Sequence, residues 1–130
     1  MSEPEGTAVQ ARTMHIGELA ELTGLSLRTI RHYDEVGLLP AAARTEGGFR
    51  IYTAADLERL LVIRSMKPLG FTLEEMAELL DVVDTLAAAG DHPQARELLK
   101  DYLRRAREKR DKLALNLKRA DEFIQNLAAT

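Results

Sequence analysis

Residues 16–37, IGELAELTGLSLRTIRHYDEVG, decide the fold. Ile16, Leu19, Ala20 and Leu22 recur at helical spacing and stop at Thr23-Gly24, a short amphipathic helix with a glycine terminator. Ser26 is an N-cap for a second helix carrying Leu27, Ile30, Tyr33 and Val36, which ends at Gly37. Two short helices joined by a tight glycine-containing turn make a helix-turn-helix pattern. Beyond it Pro40 blocks further helix, and 41–48 is small and polar. Phe49-Arg50-Ile51-Tyr52 is an aromatic and β-branched run behind Gly47-Gly48. Paired with Leu38-Leu39, it predicts a two-stranded β wing with a flexible tip.

Thr53 with Asp56 predicts a capped helix whose buried stripe is Leu57, Leu60, Leu61, Ile63 and Met66; Pro68 to Gly70 end it. Thr72 with Glu75 repeats the arrangement ahead of Leu73, Met76, Leu79, Leu80 and Val83. A second break follows from Ala87 through Gly90, Asp91 and Pro93, the proline suiting the first turn of the next helix. From Gln94 to Leu127 there is neither glycine nor proline. Leu99, Ala106, Leu113, Ala120 and Leu127 occupy heptad a positions, and Leu103, Arg110, Leu117 and Ile124 lie four residues further on. A narrow apolar seam sustained this long predicts a coiled coil. At 1.5 Å per residue it would extend roughly 50 Å and needs a partner, for which a second copy suffices. The fold expected is mainly α. It comprises an N-terminal tail at 1–13, a winged helix-turn-helix head at 14–86, a linker at 87–93 and a coiled-coil dimerisation helix at 94–127.

At 130 residues the chain is one compact unit or a small head plus an appendage. It has no cysteine, which excludes disulfides, thiolate zinc sites, iron–sulfur clusters and a cysteine nucleophile. Eighteen basic against 21 acidic side chains give −3, so nucleic acid cannot be held by bulk charge, only by a local patch. Residues 28–70 carry seven Lys and Arg against five Asp and Glu, a local +2. No run of about 18 apolar residues is present to span a bilayer. The polar, acidic start does not read as a secretion signal, and a cytoplasmic location is expected. His15, His32 and His92 fall in separate elements, the acidic clusters have the look of solvated helix faces, and Gly47-Gly48 is too short for a phosphate cradle. No catalytic, cofactor or metal-binding residue is expected, and the chain reads as a non-enzyme.

The arginines carry the functional signal. Arg28 and Arg31 are three apart on the second helix and share one face, with Leu27, Ile30 and Tyr33 on another; Arg44 and Arg50 flank the wing tip. By charge alone these are solubilising residues. Their place on a helix and a wing is what suits a major groove and adjacent backbone.

An ordered set of motifs then resembles the DNA-binding head of the MerR family of bacterial transcription regulators. It consists of Ile16-Gly17-Glu18-Leu19-Ala20, Thr23-Gly24-Leu25-Ser26, Thr29-Ile30-Arg31-His32-Tyr33-Asp34 and Gly37-Leu38-Leu39. Gly48-Phe49-Arg50-Ile51-Tyr52, Asp56-Leu57, Leu60, Ile63 and Leu69-Gly70-Phe71-Thr72-Leu73-Glu74-Glu75 continue it. The set spans about residues 14–80 in the family's order; His32 and Asp34 stand where Tyr and Glu are common. The resemblance implies a winged-helix homodimer joined by a long antiparallel coiled coil. Such a dimer binds a pseudo-palindromic promoter operator and bends and untwists it, acting on RNA polymerase indirectly. Arg28, Thr29 and Arg31 would face the groove, His32 and Tyr33 the phosphates, and Arg50, Tyr52 and Arg44 the flanking backbone. For Tyr33 and Tyr52, packing in the core is the competing reading. The dimer seam would use Leu99, Leu103, Ala106, Leu113, Leu117, Ala120, Ile124 and Leu127.

Members of the family it resembles usually read their signal through cysteines near the start of the dimerisation helix or through a separate C-terminal ligand domain. Without cysteine, and with three residues after the predicted coiled coil, no effector is assigned; Asp91-His92 reads as a helix start, not a metal site. Two other functions fit a helix-turn-helix with a coiled coil. One is an excisionase-like accessory factor on attachment-site DNA. The other is a coiled-coil interaction module, which would lack steeply salt-dependent DNA binding.

Overall fold

The structure, a computed structural model, describes residues 12–130; the predicted N-terminal tail lies outside them up to residue 11. The elements are β1 (Thr13–His15), α1 (Ile16–Thr23), α2 (Leu27–Glu35), β2 (Ala43–Arg44), β3 (Arg50–Thr53), α3 (Ala54–Met66), a 3-10 turn at Lys67–Leu69, α4 (Leu73–Ala89) and α5 (Pro93–Ala128). Side-chain caps start four of the five helices. Ser26 Oγ accepts the Thr29 N–H at 3.1 Å, and Thr53–Asp56 and Thr72–Glu75 form reciprocal capping boxes. His92 Nδ1 accepts the Ala95 N–H at 3.1 Å, with Pro93 at the helix start, so this histidine serves as a cap. The Ser26, Thr53 and Thr72 caps each stabilise their helix by about 1 kcal/mol. Gly24 ends α1 in the left-handed region at φ +73°, a conformation that suits glycine.

The chain divides into two compact units between Lys67 and Pro68. In the first, an antiparallel sheet of order β1-β3-β2 pairs Met14 with Tyr52 and Arg44 with Arg50. Leu19, Ile30, Leu39, Tyr52, Leu60 and Ile63 are fully buried beside it. Buried Thr23 donates to the Leu19 carbonyl at 2.8 Å, and Arg64 on α3 donates to the Thr23 carbonyl at 2.9 Å, closing the end of α1.

Two sequence expectations change here. Leu38-Leu39 is not a wing strand: both residues are buried, which breaks in–out alternation, and the Leu39 N–H returns to the Tyr33 carbonyl at 3.0 Å. The strand opposite β3 is Ala43–Arg44, and Thr13, placed in the tail by its polar surroundings, pairs with Thr53. The wing tip contains a hydrogen-bonded turn. The Thr45 N–H meets the Phe49 carbonyl at 2.9 Å, and the Gly48 N–H meets the Thr45 carbonyl at 2.9 Å.

In the second unit α4 packs against the first half of α5. Tyr102 is buried, its ring centroid 5.9 Å from that of Phe71, and its hydroxyl donates to Glu78 Oε1 at 2.5 Å. Arg105 forms an ion pair with Glu75 and lies over the Tyr102 ring, 4.7 Å from its centroid. Residues 102 and 105 meet 78 and 75, so the two helices run antiparallel. By its internal packing α4 belongs with α5, and Gly90–His92 separates the two helices.

Candidate nucleic-acid interface

α2 has two faces. Ile30 and Tyr33 turn into the core, while Arg28, Arg31 and His32 are exposed and Thr29 is half-exposed. Arg28 and Arg31 form no ion pair among the described residues. They line an open depression with Thr29, His32, Tyr33, Glu35 and Lys67. The lining holds three basic side chains, Arg28, Arg31 and Lys67, against the single acidic side chain of Glu35. Sequence reasoning missed Lys67: it is a lone lysine after α3, and only folding brings it beside α2.

The wing arginines do not stand free. Asp34, in the last turn of α2, accepts the Arg50 Nε–H at 2.6 Å, an Arg44 guanidinium N–H at 3.2 Å and the Ala41 N–H at 3.0 Å. Side-chain exposures of 12% for Asp34 and 18% for Arg50 make this a sheltered pair, while Arg44 reaches in from solvent. Burial by itself would raise the Asp34 carboxyl. The Arg50 and Ala41 hydrogen bonds and the two guanidinium charges outweigh it and hold the group below the usual carboxylate range. Arg50, read from the sequence as a phosphate hook, therefore has its Nε–H committed to Asp34. Arg44 also donates to the Gly48 carbonyl at 3.2 Å.

Of the two tyrosines, Tyr33 is buried in α2, its hydroxyl shifted up by that burial, and its ring lies 6.2 Å from the His32 ring. Tyr52 is 0% exposed and stands in the core, the competing reading that the sequence offered for it. Burial first, and then the Asp34 charge, push its hydroxyl up. That hydroxyl has no hydrogen-bond partner among the described residues. Leaving such a group unsatisfied costs on the order of 1–3 kcal/mol. Tyr52→Phe is expected to hold or raise stability by about 1 kcal/mol, whereas a residue contacting phosphate would lose DNA affinity on this change. Urea unfolding and a DNA titration of the variant check both halves.

Phe49 was not among the sequence candidates. It is 67% exposed at the wing tip, and a Cβ at Gly47 would meet its Cε2 at 3.1 Å, so the ring lies close over a glycine.

Along α5, Ala95 and Tyr102 are buried and Leu99 and Ala106 half-buried on the face that α4 covers. From residue 110 onward every residue is exposed, including Leu113, Leu117 (65%), Ala120, Ile124 and Leu127. The predicted seam is thus one stripe with two fates. Its start, Leu99 and Ala106, is partly covered within the chain; Leu103 is exposed beside it; the part open to a partner begins at Leu113. Phe123, 64% exposed, borders this part and was missed because it falls outside the heptad positions.

Among the described residues no group of three or more His, Cys, Asp or Glu could hold a metal ion, and no helix is long and apolar enough to cross a membrane.

Comparison with known proteins gives two family matches: "MerR HTH family regulatory protein" over residues 14–82 and "MerR, DNA binding" over residues 57–128. The mercuric resistance operon regulatory protein of Bacillus cereus is 49% identical over 69 residues, covering 53% of this chain and 52% of that protein. This chain therefore spans about half the length of that curated relative. Among solved structures, the N-terminal part of the Bacillus subtilis multidrug transporter activator, MtaN, is similar at 35% identity with a TM-score of 0.54. That likeness covers 90% of this chain and 96% of the other. HiNmlR, a MerR family regulator lacking the sensor domain and bound to promoter DNA, is similar at 25% identity with a TM-score of 0.65, over 91% of this chain and 89% of that one.

Proposed function

The chain belongs to the MerR family of helix-turn-helix regulatory proteins, and from that premise we propose that it is a sequence-specific, DNA-binding transcription regulator. As a homodimer it grips a pseudo-palindromic promoter operator and distorts it, which controls transcription initiation and affects RNA polymerase indirectly. The observation that carries this reading is the exposed face of α2. Arg28 and Arg31 stand unpaired on it, at the spacing a helix offers to base edges, beside a wing pinned to the same helix. The solved relative bound to promoter DNA supports the choice of ligand. The protein is then a binding protein and not an enzyme, and its work on promoter DNA puts it in the cytoplasm.

Each residue's part follows from its place. Arg28, Thr29 and Arg31 present donors to the groove, and His32 and Lys67, at the rim of the same depression, meet phosphates. Arg44 and Arg50 set the wing against the flanking backbone, held by Asp34. Leu113, Leu117, Ala120, Ile124 and Leu127 bring two copies together through the uncovered half of α5.

Selection of bound duplexes from sheared genomic DNA tests the proposal. Enrichment of an inverted repeat located in promoters is expected. Recovery of fragments without a shared repeat would contradict it, and enrichment of recombination attachment sites would favour the excisionase-like role.

A further inference from the structure

We propose that Asp34 is a specificity-positioning residue: its carboxylate locks both wing arginines to the recognition helix and withholds them from non-specific phosphate. The inference rests on the reading of the head as DNA-binding. Arg44 and Arg50 are direct partners in the β2–β3 register. Like charges directly opposite on paired strands repel. The Asp34 carboxylate sits between them, with Oδ2 accepting from both at 2.6 and 3.2 Å and Oδ1 accepting the Ala41 N–H at 3.0 Å. One side chain on α2 thus fastens the segment leaving that helix and both strands of the wing.

Two consequences follow for DNA. The wing cannot shift without α2, so base contacts and backbone contacts are satisfied together only at one register on the duplex. The two guanidiniums also present a cluster of net charge +1 instead of +2, since one carboxylate neutralises one of them. Any phosphate approaching the wing must compete with Asp34. That competition weakens binding to arbitrary sequence most, because there no base contacts compensate.

Titrations of wild type, Asp34→Asn and Asp34→Glu on a selected operator and on a random duplex, at several salt concentrations, test this. Asparagine keeps the size of the side chain and an acceptor for Ala41 but releases the arginines. Asp34→Asn is expected to bind random DNA several-fold more tightly and to lose several-fold in the operator-to-random ratio. Its salt slope on random DNA should steepen by about 1 to 2, at about 0.9 per phosphate neutralised. Adding Arg44→Gln to Asp34→Asn should remove about half of that gain, and Asp34→Glu, which keeps the charge, should remain selective. An Asp34→Asn protein with unchanged slope and ratio, or one that no longer folds, would show a purely structural residue and overturn the proposal. If wild type itself failed to distinguish the two duplexes, the DNA-binding reading would fall first and this inference with it.

Discussion

Leu113→Glu combined with Leu117→Glu is expected to convert the protein from dimer to monomer. Both side chains are exposed in the single chain, 47% and 65%, on the stretch of α5 that α4 does not cover. In a dimer each glutamate would sit against apolar side chains of the second copy, and burying an unpaired charge there costs several kcal/mol. The protomer itself loses nothing. Glutamate is a good helix former, and both leucines are exposed in the single chain. Light scattering should therefore read half the wild-type mass while circular dichroism shows the helix content retained. Operator affinity should fall steeply, because each head would then bind its half-site alone and lose the effective concentration the second provides. A wild-type protein that scatters as a monomer at working concentration would contradict the assignment of the stripe.

Arg31→Ala is expected to weaken operator binding by about 1–3 kcal/mol and to relax sequence preference at one position in each half-site. Stability should hardly change, since Arg31 is exposed and lies outside the core. Competition titrations against single-base operator variants read the effect directly. Equal loss on every sequence would move Arg31 from the base edges to the phosphates, and no loss at all would remove α2 as the recognition element.

How far the sequence was legible depends on the range of the signal. Helix starts were readable because capping is local: Ser26, Thr53 with Asp56, and Thr72 with Glu75 announce themselves within four residues, and the structure places a helix after each. The short strands were not. β1 and β2 have three and two residues, too few for a period-two pattern, so Thr13 merged with the tail and Leu38-Leu39 stood in for Ala43–Arg44. The covering of Leu99 and Ala106 was also hidden, because a heptad stripe is the same whether the partner is a helix of its own chain or of another copy. At the candidate site, the exposed arginines of α2 were legible from helical spacing. The Asp34–Arg50 pair spans 16 residues and Lys67 lies 32 residues beyond Glu35, so neither could be read before the chain was folded.

Hydroxyl-radical and base-unstacking footprints on the selected inverted repeat decide whether the dimer distorts its operator. In the proposed dimer, two heads joined through a stiff helix pair would meet DNA whose successive major-groove faces lie about 34 Å apart. Where the spacing of the heads differs from that repeat, the duplex yields, and a bend of 40–90° costs on the order of 1–6 kcal/mol, which contacts on both half-sites can offset. Two protected arms are expected, one per recognition helix, flanking an unprotected centre whose bases become reactive on binding. A saturated specific complex protected without interruption, or protected in both arms over an undistorted centre, would contradict this expectation.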